Sequence, residues 1–125
     1  MKYLIVTCAL FLASVVYAAE TPEFHVKTAA GLVEICGVSK EDARHANAKA
    51  FCHGYLVGAY QYYNATVEPA DRFVCSPNPT PSLNEVTDGF VAWSKTHPQY
   101  MQDRAADTLF RYLAENYPCG KEHRP

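Results

Sequence analysis

Cysteine and histidine are the residues of this chain best suited to covalent or metal chemistry, and there are five of each. The sequence has no Cys-x-x-Cys pair, so a thioredoxin-like role has no support. Cys52 and His53 are adjacent, but neighbouring residues on a helix point about 100° apart, which does not suit a thiol–imidazole pair. His45 and His53 fall roughly on one side of a helix without the further converging ligands that a metal site needs. We therefore predict no catalytic residues, no metal site and no cofactor, and hence a protein that is not an enzyme.

The first 18 residues have the pattern of a bacterial-type export signal. Lys2 is followed by an apolar run over residues 4–16, and Val16-Tyr17-Ala18 offers small or aliphatic residues at the cleavage positions. We expect cleavage after Ala18, which leaves residues 19–125 as a single periplasmic domain without a membrane anchor. In that oxidising compartment, two disulfides are the expected state of the four remaining cysteines, Cys36, Cys52, Cys75 and Cys119.

Four cysteines allow three pairings, and the predicted helices favour one of them. Cys75 precedes and Cys119 follows a predicted helical hairpin, so both should lie at its open end. Cys36 and Cys52 flank the turn between the first two predicted helices. We therefore favour Cys36–Cys52 with Cys75–Cys119, and the alternative of Cys36–Cys119 with Cys52–Cys75 stays open.

Apolar periodicity and helix punctuation predict four helices and no strands. The first covers residues 26–36 and the second about 40–64, with Ser39 as its N-cap. Prolines indicate a loop over residues 68–81, after which Thr80 caps a third helix that presents Leu83, Val86, Phe90 and Trp93 to the core. The fourth covers about 99–116, with an inward face of Met101, Ala105, Leu109, Tyr112 and Leu113. The fold class is all-α, a compact four-helix domain stapled by two disulfides.

The second helix carries small residues at strict four-residue spacing, namely Ala46, Ala50, Gly54 and Gly58. Such a stripe lets another helix approach closely. Packing inside the chain is the favoured interpretation, and a homodimer contact is the alternative.

Charge and aromatic content bear on the choice of partner. Without Lys2 the chain has 10 basic and 13 acidic residues and no basic run, so nucleic-acid binding is not expected. Tyrosine is enriched at interfaces, and Tyr60, Tyr62 and Tyr63 cluster on the second helix. We predict that these three contribute to a partner-binding surface.

From about residue 48 to 120 the chain resembles the Rap/Tai immunity proteins of type VI secretion. The resemblance rests on residues 51–58 (FCHGYLVG), 73–77 (FVCSP), Thr80 with the helix after it, and the closing 117–119 (YPC). Residues 32–36 (LVEIC) also fit the first helix of four-cysteine members. The resemblance implies a disulfide-bonded, all-helical periplasmic protein, commonly dimeric, that blocks the active site of a cognate peptidoglycan amidase effector. The alternatives are a general periplasmic stress or acid chaperone, or a structural envelope protein.

Overall fold

The computed structural model describes residues 26–120, so the predicted signal at 1–18 lies outside the described residues. Within 26–120 the chain forms the predicted all-α fold: α1 (Ala29–Cys36), α2 (His45–Thr66), α3 (Leu83–Lys95) and α4 (Ala105–Asn116). Short 3₁₀ helices cover Pro69–Asp71 and Pro98–Tyr100. Extended pairing in this part of the chain is limited to two isolated bridges. No helix among residues 26–120 is long and apolar enough to cross a membrane.

The shortest α-helix occupies the centre of the domain. α1 has eight residues, yet it packs against each of the other three helices. Ala29 and Leu32 have no exposed surface, and Val33, Ile35 and Cys36 are partly buried around them. A helix of this length is not stable alone in water, so α1 forms because its neighbours bury it.

Backbone hydrogen bonds connect the start of α1 to the segment before α4. The Ala29 and Ala30 amides donate to the carbonyls of Asp103 and Met101, both at 2.9 Å, and Thr28 pairs with Arg104 in an antiparallel bridge. The Thr28 hydroxyl caps the helix by accepting from the Gly31 amide. α1 therefore begins three residues later than the predicted residue 26, because residues 26–28 are extended.

The predicted start of α2 was wrong by several residues. Ser39 is not the N-cap: its hydroxyl donates to the Glu41 carboxylate and accepts from the Glu41 amide, but the residues that follow form turns and not a helix. The Asp42 carboxylate is occupied by Arg44, with its backbone amide at 2.8 Å and its guanidinium at 2.7 Å. These local bonds hold residues 39–44 in turns, and the helix begins at His45.

The α3 start also differs from the prediction. Ser82, not Thr80, is the N-cap: its hydroxyl accepts from the Glu85 amide, and the Glu85 carboxylate accepts from the Ser82 amide at 2.7 Å. This reciprocal capping box satisfies two amides at once, whereas the Thr80 hydroxyl is engaged by Ser76. The backbone hydrogen bond from Ser82 lowers the pKa of Glu85 below its usual value.

Residues 99–104, predicted as the first turns of the fourth helix, instead belong mainly to a 3₁₀ helix and turns. α4 itself contributes the predicted core positions Ala105, Leu109, Tyr112 and Leu113. Thr108, also without exposed surface, donates its hydroxyl to the Tyr100 carbonyl at 3.2 Å, which ties the 3₁₀ helix to α4.

The core between α3 and α4 is built around Phe90 and Tyr112, whose ring centroids lie 5.7 Å apart. The Tyr112 ring crosses α3 at Gly89, where a Cβ atom would meet the tyrosine hydroxyl and would lie 3.3 Å from Cζ. Trp93 and Tyr117 also contact Tyr112, at 5.9 and 6.1 Å between centroids. Burial raises the pKa of Tyr112 far above its usual value, and a hydrogen bond with Tyr117 adds to the effect, so the hydroxyl stays protonated.

The small-residue stripe does not pack inside the protomer, contrary to the favoured interpretation. Ala46, Ala50, Gly54 and Gly58 are all exposed, and a Cβ at either glycine would have no protein atom within 4 Å. The reason is the orientation of α2, which buries Ala48, Cys52, Leu56 and Tyr63 instead. The alternative, a homodimer contact, stays a prediction.

The disulfides are Cys36–Cys52 and Cys75–Cys119, which confirms the favoured pairing. The first joins α1 to α2 across 16 residues, and the second joins the segment before α3 to the segment after α4 across 44 residues. In the chain-entropy model these loops correspond to about 3 and about 4 kcal/mol of stabilisation.

Two helical glycines provide a matched test of this packing. We expect Gly89→Ala to lower the free energy of unfolding by about 1–3 kcal/mol, because Tyr112 is held by its aromatic neighbours and cannot yield to a Cβ. We expect Gly58→Ala to raise it by roughly 0.5–1 kcal/mol through helix propensity. Denaturant unfolding at a concentration where the protein is monomeric measures both. Equal effects of the two substitutions would contradict the position of Tyr112.

Candidate functional site

An apolar groove runs between α2, the segment before α3, and the ends of α3 and α4. Its volume is about 390 Å³, and none of its lining residues carries a formal charge. Leu83 forms part of its surface with 41% of its area exposed, so the predicted burial of this residue was wrong. The apolar members of the lining are Leu56, Val57, Tyr60, Val74, Cys75, Pro77, Pro81, Leu83, Val86, Leu113 and Tyr117.

A second cavity of about 440 Å³ continues the groove past Cys75 and Ser76 towards Arg72, Pro118 and Gly120. The Arg72 guanidinium donates to the carbonyls of Asn64 and Val67, at 2.7 and 3.3 Å. Arg72 thereby ties the loop after α2 to the end of that helix. The combined surface is uncharged along the groove and has a single cation at its far end.

The wall of the groove is a short pair of extended segments. Val74 faces Pro118 in an antiparallel bridge, with the Cys75 amide donating to the Tyr117 carbonyl at 3.0 Å. The Cys119 amide donates to the Phe73 carbonyl at 3.2 Å. The Cys75–Cys119 disulfide links the same two segments covalently. Residues 73–75 and 117–119 thus form one stapled unit, which we call the disulfide ladder.

Tyr63 is a buried residue that contacts the disulfide ladder from the side of the core. It is only 6% exposed, so it offers little surface for the predicted partner contact. Its hydroxyl oxygen accepts hydrogen bonds from the amides of Phe73 and Val74, at 2.7 and 3.0 Å. Its ring contacts Phe73 and Phe110, with centroids 5.2 and 5.0 Å away. Tyrosine suits this position because an apolar ring fills the core while its polar tip satisfies two amides of a non-helical segment.

The other two tyrosines of the cluster face different surroundings. Tyr60 is half-buried, stacks against Tyr63 at 6.2 Å and lines both cavities. Tyr62 is 72% exposed and continues the four-residue spacing of the small-residue stripe beyond Gly58. The structure therefore separates the predicted trio into a groove residue, an outer-surface residue and a buried support.

The two histidines of α2 do not converge on a ligand. His45 Nδ1 lies 2.9 Å from the Val38 carbonyl oxygen, and the buried His53 Nε2 has no hydrogen-bond partner among the described residues. No group of three or more His, Cys, Asp or Glu residues within 26–120 is placed to hold a metal ion. All four cysteines in this range are in disulfides, so none is available as a thiolate nucleophile.

Hydrogen-bonded acids on the surface are held in their charged form. The hydrogen bonds from Arg44 lower the pKa of Asp42 to about 2. Arg44 forms an ion pair with Asp42 at 2.7 Å, and Arg104 forms one with Asp107 at 2.8 Å. Both ion pairs lie outside the lining of the groove.

Sequence reasoning missed Leu83, Val57 and the prolines of the groove as site residues. The heptad-like spacing of α3 assigned Leu83 to the core, since periodicity does not reveal where a helix projects beyond its neighbours. The one available signal was the proline-rich segment around Cys75, which cannot form helix and so must present loop surface.

Comparison with known proteins agrees with this architecture. The family model for Rap1a immunity proteins matches residues 28–119, nearly the whole described chain and both disulfides. The protein therefore belongs to the Rap1a immunity protein family. No match was found among curated proteins or among solved structures.

The role assigned to Tyr63 has a direct test in two matched substitutions. Tyr63→Phe deletes only the oxygen that serves the Phe73 and Val74 amides, and Val74 is buried, so we expect a loss of about 1–3 kcal/mol of stability. Tyr62→Phe removes an exposed hydroxyl and should change stability by less than about 0.5 kcal/mol. Denaturant unfolding compares the two proteins, and hydrogen exchange of the Phe73 and Val74 amides locates the effect. Unchanged protection of these amides in Tyr63→Phe would contradict the assignment.

Proposed function

We propose that this protein is a periplasmic immunity protein that binds a peptidoglycan amidase effector of type VI secretion and blocks its active site. The family match carries the immunity role. The apolar, uncharged groove is the observation that supports the proposed place of partner binding. The protein then acts as a binder and has no hydrolase activity of its own.

The groove has the properties expected at the centre of a protein interface. Interface centres are depleted of charge and enriched in tyrosine, and here Tyr60 lies beside aliphatic side chains and prolines. Leu83 offers exposed apolar area that a partner would bury. A loop of the partner inserted here would exclude water without leaving a buried charge on this side.

Preorganisation supports an inhibitor over a chaperone. The groove wall is held by the Cys75–Cys119 disulfide, by two backbone hydrogen bonds and by Tyr63. Binding to a surface already in place costs little conformational entropy. An acid chaperone works by exposing apolar surface as it unfolds, which two disulfides oppose, and family membership favours the immunity role over a chaperone or a structural envelope protein.

The outer face of α2 supports a second part of the proposal, a homodimer. Ala46, Ala50, Gly54, Gly58 and Tyr62 follow one another at four-residue spacing on an exposed and uncharged face. Rows of this spacing pack together in the commonest class of helix crossing. Because each four-residue step turns about 40° around the helix, the middle members Ala50, Gly54 and Gly58 are the ones that can face one partner helix.

The inhibition proposal is tested by adding one charge inside or outside the groove. Leu83→Asp places a carboxylate in the groove lining at the first turn of α3, where an acid suits the helix dipole and should not unfold the protein. Asn84→Asp adds the same charge one residue further, at an exposed position that does not line the groove. An unpaired interfacial charge should cost at least about 2 kcal/mol, roughly thirtyfold in Kd.

The measurements are periplasmic co-expression with each candidate amidase from the same genome, and binding of the purified proteins. We expect the wild-type protein and Asn84→Asp to bind one amidase and prevent lysis, and Leu83→Asp to fail. If Leu83→Asp protects as well as wild type, the groove is not the contact surface. If the wild-type protein neutralises no candidate, the amidase assignment is wrong.

The homodimer is tested by Gly58→Leu with Ala92→Leu as its control, since Ala92 is exposed on α3 away from the stripe. Gly58 has open space in the protomer, so the leucine should leave the folded monomer intact. Sedimentation velocity should show a dimer for wild type and Ala92→Leu, and a monomer for Gly58→Leu. A wild-type protein that stays monomeric at high micromolar concentration would rule out the dimer.

A further inference from the structure

We propose that the Cys75–Cys119 disulfide is a redox gate on the groove: oxidation assembles the partner-binding surface, and reduction dismantles it while the helical core persists. The gate itself is a property of this fold, and its consequence for amidase binding rests on the proposed function. The Cys36–Cys52 disulfide has no such role, although it closes a loop in the same chain.

The first argument is how little else holds the groove wall in place. Residues 73–77 are outside every helix, and the disulfide ladder contains one antiparallel bridge with two backbone hydrogen bonds. Even a complete two-stranded hairpin is marginally stable on its own in water. The hydroxyl of Tyr63 adds two hydrogen bonds, but only to one of the two segments. After reduction, residues 117–119 are joined to residues 73–75 only by two backbone hydrogen bonds and by the packing of Val74 and Tyr117 against the core.

The second argument is the length of chain between the joined cysteines. All of α3 and α4 lies between Cys75 and Cys119, which are 44 positions apart. α4 ends at Asn116, and the Tyr117 amide bonds the Leu113 carbonyl, so the chain is helically anchored only up to that point. Beyond it, Pro118 has no amide hydrogen to donate. The covalent bond therefore holds residues 118–120 against the groove together with the single hydrogen bond from the Cys119 amide to the Phe73 carbonyl.

The third argument is the contrast between the two disulfides. Cys75 lines both the groove and the adjoining cavity, and both Cys75 and Cys119 are partly exposed. Cys52 has no exposed surface, so Cys36 is the only partly exposed member of the other pair, and neither cysteine lines the groove. Thiol–disulfide exchange requires access of a thiolate to a sulfur atom. The groove disulfide is therefore the more accessible to a dithiol reductant or to an oxidising enzyme of the envelope.

The chemical step is ordinary dithiol exchange. A dithiol reductant donates two electrons and two protons, its own two sulfurs form a disulfide, and Cys75 and Cys119 become thiols. The reverse reaction, with an oxidised dithiol enzyme as acceptor, closes the gate after export. The newly made chain in a reducing compartment would then lack the assembled groove and would acquire it only where an effector arrives.

The test compares two double variants of the mature protein, Cys75→Ala/Cys119→Ala and Cys36→Ala/Cys52→Ala, by hydrogen exchange. In the first, exchange of residues 73–77 and 117–119 should rise at least about tenfold relative to α4, while the circular dichroism stays helical. In the second, the ratio between these segments and α4 should stay as in wild type. Unchanged relative protection of residues 73–77 and 117–119 in the first variant would overturn the gate.

Wild-type protein gives an independent measurement in case a variant does not fold. Stepwise reduction with dithiothreitol, followed by iodoacetamide and peptide mapping, should label Cys75 and Cys119 before Cys36 and Cys52. The protein carrying only these first two labels should show the same loss of protection in residues 73–77. Labelling of Cys36 and Cys52 first, or retained protection after labelling at 75 and 119, would contradict the proposal.

The final measurement is the affinity for the amidase. It distinguishes a failure of the redox gate from a failure of the proposed function. We expect the Cys75→Ala/Cys119→Ala protein to bind the cognate amidase at least about tenfold more weakly than Cys36→Ala/Cys52→Ala does at a temperature where both are folded. Equal affinities would show that the gate does not control binding. If wild-type protein binds no amidase, the proposed function fails, and the exchange data alone decide whether the gate exists.

Discussion

Burial of α1 is the constraint on which the rest of the fold depends. Eight residues cannot sustain a helix by their own hydrogen bonds, yet α1 contacts all three longer helices. Its start is fixed by backbone bonds to Met101 and Asp103, and its end by the disulfide from Cys36 to α2. Because these attachments come from distant parts of the chain, α1 orders only when the other helices are already close. The domain should therefore fold as a single cooperative unit.

The groove exists because this core is covered unevenly. The first turn of α3 is incompletely covered: Leu83 is exposed, whereas Phe90, two turns further, has no exposed surface. The gap is walled by a segment whose prolines prevent helix formation. Such a segment needs external support, which comes from a buried tyrosine hydroxyl and a disulfide rather than from regular secondary structure. For this reason the proposed binding surface and the Cys75–Cys119 disulfide lie in the same part of the molecule.

The fold could be predicted from the sequence, whereas most of the site could not. Apolar spacing located four helices, and the hairpin argument selected the disulfide pairing that the structure contains. Helix starts were misplaced where side chains form local hydrogen bonds of their own: the Ser39 hydroxyl bonds the Glu41 carboxylate, and the capping box at Ser82 sets the start of α3 two residues after Thr80. These outcomes depend on local geometry that residue types alone do not specify.

The roles of individual residues required tertiary information for a related reason. Tyr62 and Tyr63 are neighbours of the same type, but a helix turns them about 100° apart, so one is exposed and the other supports the groove wall. The glycines show the same dependence. Gly89, which no pattern singled out, has no room for a Cβ in this packing because the Tyr112 ring crosses it, whereas Gly58 in the small-residue stripe has open space around it.

α2 connects the two proposed interfaces, because consecutive residues of this helix serve different surfaces. Val57 lines the groove and Gly58 lies on the exposed stripe. Directions about 100° apart allow a second copy and an effector to contact one helix without competing for the same side chains. They also place the two partners side by side, so that a dimer would border the groove and limit the approach of an effector. In such an arrangement, the shape of the proposed binding surface would depend on the second copy as well as on the disulfide. The second copy would extend that surface, so that a small helical domain would contact a partner larger than its own groove.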